Sequence, residues 1–118
     1  MKITILHSKD ALEPPVDPVL DQLEDALLGG GHTTRRLAVD AEVKPLINEL
    51  TVEAPDLVFN LAESFRGKSA LESNVAALLN LIDLRYTGSS PAGLILAGDK
   101  TLTKKVLAFH GILSAKFA

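Results

Sequence analysis

At 118 residues, 47% of them hydrophobic and 23% charged, the chain has room for one domain with a real core and none for two. A formal charge of −3, with lysines and arginines scattered rather than striped, supplies no electrostatic footprint for nucleic acid or an anionic membrane. The absence of cysteine removes disulfides and thiolate zinc sites, and with no signal peptide or membrane-length apolar run the expected location is the cytoplasm.

In chain order, Ile3, Ile5 and Leu6 beside Thr4 form a short β-rich run that polar His7-Ser8-Lys9-Asp10 brings to an end. Asp17-Pro18 combines a helix cap with proline in the first turn, so a helix is expected from Pro18. Val19, Leu20, Leu23, Ala26 and Leu27 give it an apolar face, and Gly29-Gly30-Gly31 supplies its stop. These glycines follow a helix rather than open one, which favours punctuation over phosphate binding. A second strand is expected over Thr33 to Val39. A weaker helix follows, with Pro45 in its first turn, Leu46, Ile47 and Leu50 on its apolar face and Pro55 as its limit.

The apolar run Leu57 to Leu61 predicts a third, buried strand that opens onto polar Asn60 and Glu63. Ser69-Ala70-Leu71-Glu72 has the spacing of a capping box, and Leu71, Val75, Leu78, Leu79 and Ile82 share one face of the helix it would start, ending near Asp83. Leu84 to Thr87 predicts a fourth strand. Ser90-Pro91 then opens a helical turn, and Asp99 caps a last helix that Gly111 stops, followed by an extended run from Ile112 to Phe117. Alternating strands and helices imply right-handed crossovers, hence an α/β, Rossmann-like domain. An open parallel sheet of about four strands, order 2-1-3-4, with helices on both faces, is expected. Its switch point lies between strands one and three, where the loops His7 to Val16 and Ala62 to Lys68 meet.

Two readings of the chemistry arise from this layout. Ala62 to Ser69 is a Walker A pattern if alanine replaces its first glycine, with Lys68 reaching phosphate oxygens and Ser69 holding magnesium. Its place after the third strand and the lack of a later strand ending in a magnesium-binding aspartate weigh against a nucleotide-binding P-loop. The second reading rests on Phe59-Asn60-Leu61-Ala62-Glu63, Gly67, Glu72, Ala76-Ala77-Leu78-Leu79, Tyr86-Thr87-Gly88-Ser89, Asp99-Lys100, Thr103-Lys104 and Gly111-Ile112. In order and spacing these resemble the N-terminal, pre-ATP-grasp domain of D-alanine–D-alanine ligase-like ATP-grasp enzymes.

The resemblance implies an ATP- and magnesium-dependent ligase that activates a carboxylate as an acyl phosphate and joins it to an amine. It further implies that Lys100 reaches the ATP phosphates, as a compact cation suits. On the residues alone, Lys100 reads equally well as a solvated lysine in the first turn of a helix. Tyr86 to Ser89 is expected to shape the chain rather than to react, and no catalytic or metal-binding residue is assigned. On the substrate side the expected residues are Glu63, His7 and Glu13, although the loop after the first strand lacks the family's glycine-rich pattern. The family's histidine-glycine and glutamate-aspartate-glycine elements after the third strand are absent as well. The ATP-grasp and C-terminal domains of such ligases would follow Phe117. The 118 residues therefore read as a single truncated domain, inactive alone, with an amino-acid-like substrate, its missing domains and homodimer contacts as partners. A non-catalytic interaction module is the remaining alternative.

Overall fold

The computed structural model describes residues 1–8 and 18–112. Its elements are strand β1 (Lys2–Ser8), helix α1 (Val19–Gly29), strand β2 (Thr33–Val39), helix α2 (Val43–Val52) and strand β3 (Leu57–Leu61). A single 3-10 turn (Ser69–Leu71) leads into helix α3 (Glu72–Leu81), followed by α4 (Pro91–Gly98) and α5 (Lys100–Phe109). The Asp17 cap, Glu13 and nearly all of the expected Ile112 to Phe117 run lie outside the described residues.

Strand β1 is the centre of a parallel sheet of order β2-β1-β3. Successive strand residues point to opposite faces, and Ile3, Thr4, Ile5, Leu6 and His7 are all buried, so both faces are covered. The two neighbouring arginines of β2 identify the covers. Arg36, level with Ile5, turns to α1 and pairs with Asp21 at 2.6 Å and Glu24 at 3.1 Å. The hydrogen bonds that Arg36 donates to Asp21 and then to Glu24 push its guanidinium pKa up. Arg35, level with Thr4, turns the other way to Glu49 and Glu53 near the end of α2. On that second face Leu6, Val39 and Val58 pack with Leu46 and Leu50 of α2 and Val75 and Leu79 of α3 in one core.

The sheet corrects three expectations. β1 runs through His7 and Ser8, whose backbone stays in register with Ala38 and Val39, so these residues end the strand instead of opening the loop. The expected fourth strand is one isolated bridge, Val58 to Tyr86, so the sheet has three strands and not four. Arg85 and Thr87 bracket Val58, with bonds of 2.8 and 3.0 Å. The next ladder position is lost because the Thr87 hydroxyl, not a backbone carbonyl, accepts from the Asn60 amide at 3.0 Å. Gly88 then turns the chain away at φ 97°. Finally, Ser69 is no capping-box serine: the turn starts from Lys68, with no side-chain cap, and Ser69 is already its first residue.

Helix ends follow one pattern. At the end of α1, His32 N–H donates to the Leu27 carbonyl and Gly31 N–H to that of Leu28, with Gly31 left-handed at φ 86°. After α3, Leu84 donates to Leu79 and Asp83 to Asn80, and here the left-handed position is Asp83, at φ 57°. Replacing Asp83 by glycine removes the Cβ penalty and is expected to stabilise the chain by up to about 1 kcal/mol in urea denaturation. By the same measurement Leu79→Ala, at a fully buried position, is expected to cost about 2–5 kcal/mol.

Candidate functional site

The carboxyl ends of β1 and β3 lie side by side, and the loop after β3 is fastened to β1. The Glu63 amide donates to Ser8 Oγ at 2.9 Å, while the Ala62 amide turns back to Asn60 Oδ1 at 3.1 Å. His7 is buried, with Nδ1 2.9 Å from the Ser8 carbonyl; a carbonyl only accepts, so Nδ1 carries the proton. His7 and Glu63 are thereby brought together through Ser8. Their side chains differ in access, because His7 is enclosed in the sheet and the Glu63 carboxylate is exposed. Glu13 lies outside the described residues.

The loop with the Walker-like spacing closes on itself. Arg66 and Gly67 are both left-handed, at φ 54° and 70°, and Phe65 and Lys68 exchange backbone hydrogen bonds of 3.2 and 2.9 Å across them. Two consecutive left-handed residues between paired neighbours make the tight reversal of a hairpin. Phe65 anchors it in the core, and Arg66 donates from Nε to the Ala41 carbonyl. A phosphate cradle needs amides that converge on an anion. Here those of Ala62, Glu63, Phe65 and Lys68 already donate within the fold.

Lys100 is the exposed first residue of α5. Its neighbour Asp99 is the single residue between α4 and α5, and Asp99 Oδ1 accepts from the Leu102 amide at 2.9 Å. The Thr103 hydroxyl closes this elbow by donating to the Leu96 carbonyl. Ser90 caps α4 as expected, accepting from the Gly93 amide, with Pro91 in its first turn. A cavity of about 360 Å³ between the start of α3 and the end of α4 is lined by Ser69, Glu72, Ser73, Leu94, Ile95 and Asp99. This cavity sets the Asp99-Lys100 elbow beside the start of α3, to which the loop after β3 leads. No contact joins Lys100 to Glu63 or His7 among the described hydrogen bonds and ion pairs. Nor does any group of three or more His, Asp or Glu among the described residues stand ready to hold a metal. The sequence reading missed Ser8 and the Thr87 hydroxyl. A hydroxyl residue just past an apolar strand, and the threonine of Tyr86-Thr87-Gly88-Ser89, were the available signals.

No protein-family model matches the chain. Among curated proteins it is 33% identical to the D-alanine–D-alanine ligase of Moorella thermoacetica, over 99% of this chain and 36% of that protein. It is 36% identical to the ligase of the same name from Sphingopyxis alaskensis, over 75% of this chain and 27% of that one. The chain thus spans about a third of the length of these relatives. Its backbone matches the crystal structure of a D-alanine–D-alanine ligase from Bacillus anthracis complexed with ATP. That match has a TM-score of 0.66 and 18% identity, covering 98% of this chain and 37% of that one, and it concerns the fold alone. No helix among the described residues is long and apolar enough to cross a membrane.

The Ser8 clasp is testable by hydrogen exchange. Ser8→Ala is expected to cost about 1 kcal/mol and to speed exchange of the Glu63 amide about fivefold, with little change at the Ile5 amide. Isothermal titration with magnesium and ATP is expected to give no Lys68-dependent binding to the 118-residue chain, since the Ala62, Glu63, Phe65 and Lys68 amides are already engaged within the fold.

Proposed function

Since the chain corresponds to the N-terminal domain of D-alanine–D-alanine ligase-like ATP-grasp enzymes, we propose that it is the substrate-side domain of an ATP-dependent carboxylate–amine ligase, inactive alone. The observation that carries this reading is the similarity to such ligases over 99% of the chain. It is supported by Glu63, exposed just beyond the carboxyl end of the parallel strand β3, where α/β sheets bind ligands.

In this reading ATP supplies the phosphoryl group that activates a carboxylate as an acyl phosphate, which the amine of a second amino-acid-like substrate attacks. The chain's own contribution is narrower. Lys100 offers one cation to a phosphate oxygen. The amides of Leu102 and Thr103 do not add to it, because Leu102 N–H donates to the Asp99 carboxylate and Thr103 N–H to the Asp99 carbonyl. Magnesium ligands are assigned to other parts of the longer polypeptide. Glu63 accepts hydrogen bonds from the ammonium group of the first substrate, as an exposed carboxylate at the switch point can. His7, enclosed as it is, acts by holding the Ser8 carbonyl, and Glu13 is a second carboxylate assigned to the substrate side. Cytoplasmic location and homodimer contacts belong to the same proposal.

The test joins this chain to the remainder of the Moorella thermoacetica relative and follows phosphate release from ATP. Turnover is expected only with an amino-acid substrate, and Lys100→Ala is expected to lower it about 10- to 100-fold, the worth of one charge-assisted bond. Glu63→Gln is expected to raise the KM of the first amino acid more than it lowers kcat. A folded chimera without amino-acid-dependent turnover, or one indifferent to Lys100→Ala, sinks the reading.

A further inference from the structure

At the amino ends of the strands, opposite the edge that carries His7 and Glu63, lies a cavity of about 610 Å³. Lys2, Thr4 and Arg35, on the side of β1 and β2 that faces α2, form its floor, and residues 52–55, where the chain leaves α2, form its wall. Wall and floor are fastened together. Asp56 N–H donates to the Lys2 carbonyl at 2.8 Å, and Lys2 N–H donates back to Asp56 Oδ2 at 2.7 Å. Two groups of the floor have no use within the fold. Thr4 is 2% exposed, yet its hydroxyl makes no hydrogen bond among the described residues, where a hydroxyl so deep in a fold is normally bonded. No side-chain oxygen of a buried residue is both sealed from solvent and without a partner. The Thr4 hydroxyl therefore keeps an opening, and the space that Thr4 lines is this cavity. The Lys2 side chain, two positions away on the same face, enters no ion pair among the described residues, and the Asp56 carboxylate is taken by the Lys2 amide.

The wall carries the complementary charge. Arg35 is held by Glu49, donating from Nη2 to its carbonyl at 2.8 Å and from Nη1 to its carboxylate at 3.4 Å. Glu53 Oε2 stands off at 3.6 Å from Nη1, beyond hydrogen-bond length, so its carboxylate is the one left to accept from a ligand. We propose that this cavity binds an α-amino acid. The Thr4 hydroxyl and the Lys2 ammonium hold its carboxylate, Glu53 takes its ammonium group, and Val52 and Pro55 lie against its apolar side chain. Charge of both signs selects a zwitterion: phosphate would meet the Glu53 carboxylate, and a simple amine would meet the Lys2 ammonium. Because the paired bonds between Lys2 and Asp56 already fix the wall, binding requires no ordering of the backbone. The site goes beyond the ligase reading and does not depend on it, since it shares no residue with those assigned there.

The test is an NMR titration of the 118-residue chain with D- and L-alanine and D- and L-leucine, read at the backbone amides. At least one of the four is expected to shift the Thr4, Arg35 and Glu53 amides saturably, with a Kd on the order of 1 mM, as the few heavy atoms of an amino acid allow. Propionate, propylamine and inorganic phosphate are each expected to bind about 10-fold more weakly or not at all. Thr4→Val removes the hydroxyl at nearly constant volume. It is expected to weaken binding about 10-fold without lowering the Tm, because nothing in the fold uses that group. Lys2→Met and Glu53→Gln, both at exposed positions, are expected to weaken binding to a similar extent. No shift with any of the four amino acids overturns the inference, as do shifts confined to Ser8, Asn60 and Glu63, which report the opposite edge of the sheet. Binding indifferent to Thr4→Val and Lys2→Met overturns it too. A Tm lowered by Thr4→Val shows that the fold needs the hydroxyl, and phosphate binding tighter than every amino acid shows an anion site; either result sinks the proposal.

Discussion

The fold depends on burying β1 from both sides. Ile5 and Leu6 are adjacent, point to opposite faces and are both fully buried, so neither face of the strand can be left to water. That single constraint demands a helix layer on each side, and α1 and the α2–α3 pair supply them. It also dictates parallel neighbours, since each strand returns to the sheet only after a helix has crossed one face. Arg35 and Arg36 show the division at one peptide link: one side chain pairs with α2 and the other with α1. Both pairs are partly exposed, so they register the layers more than they stabilise them.

Because every strand runs the same way, all three carboxyl ends fall on one edge, and the polar residues that terminate the apolar runs collect there. Ser8 and Asn60 use their side chains to satisfy the amides of Glu63 and Ala62 where the loop departs from β3. The same need shapes the loop beyond. Buried or half-buried amides must find acceptors, and the reversal through Arg66 and Gly67 meets that need by pairing Phe65 with Lys68. A loop so closed fixes its own backbone beside the end of β1.

Away from the sheet the balance changes. Helices α4 and α5 are well capped, by Ser90 and Asp99, and joined by the Thr103 hydroxyl, yet they bury no residue. Local hydrogen bonds suffice to shape a helix but not to hold it to a domain, which most helices achieve by burying an apolar face. Several of their apolar residues, Ile95, Leu102 and Phe109 among them, stay exposed. The Asp99-Lys100 elbow therefore belongs to the least buried part of the described fold.

What the sequence determined by itself is what local chemistry and periodicity encode: three parallel strands at their places, α1 with its left-handed stop, Ser90 and Asp99 as caps, and the ligase resemblance carried by Tyr86 to Ser89 and Asp99-Lys100. Only the tertiary structure decided matters that depend on a partner distant in the chain. Leu84 to Thr87 has strand composition, but a strand exists only where a neighbour extends its ladder, and the Thr87 hydroxyl ended that ladder at one bridge. Ser69 has cap chemistry and Ala62 to Ser69 has phosphate-loop spacing, but the Phe65 anchor and the hairpin reversal set where the helix begins and where the amides point. His7 and Glu63 are 56 positions apart; that one is enclosed and the other presented follows from the sheet burying the strand and releasing the loop, a distinction of packing that no local pattern contains.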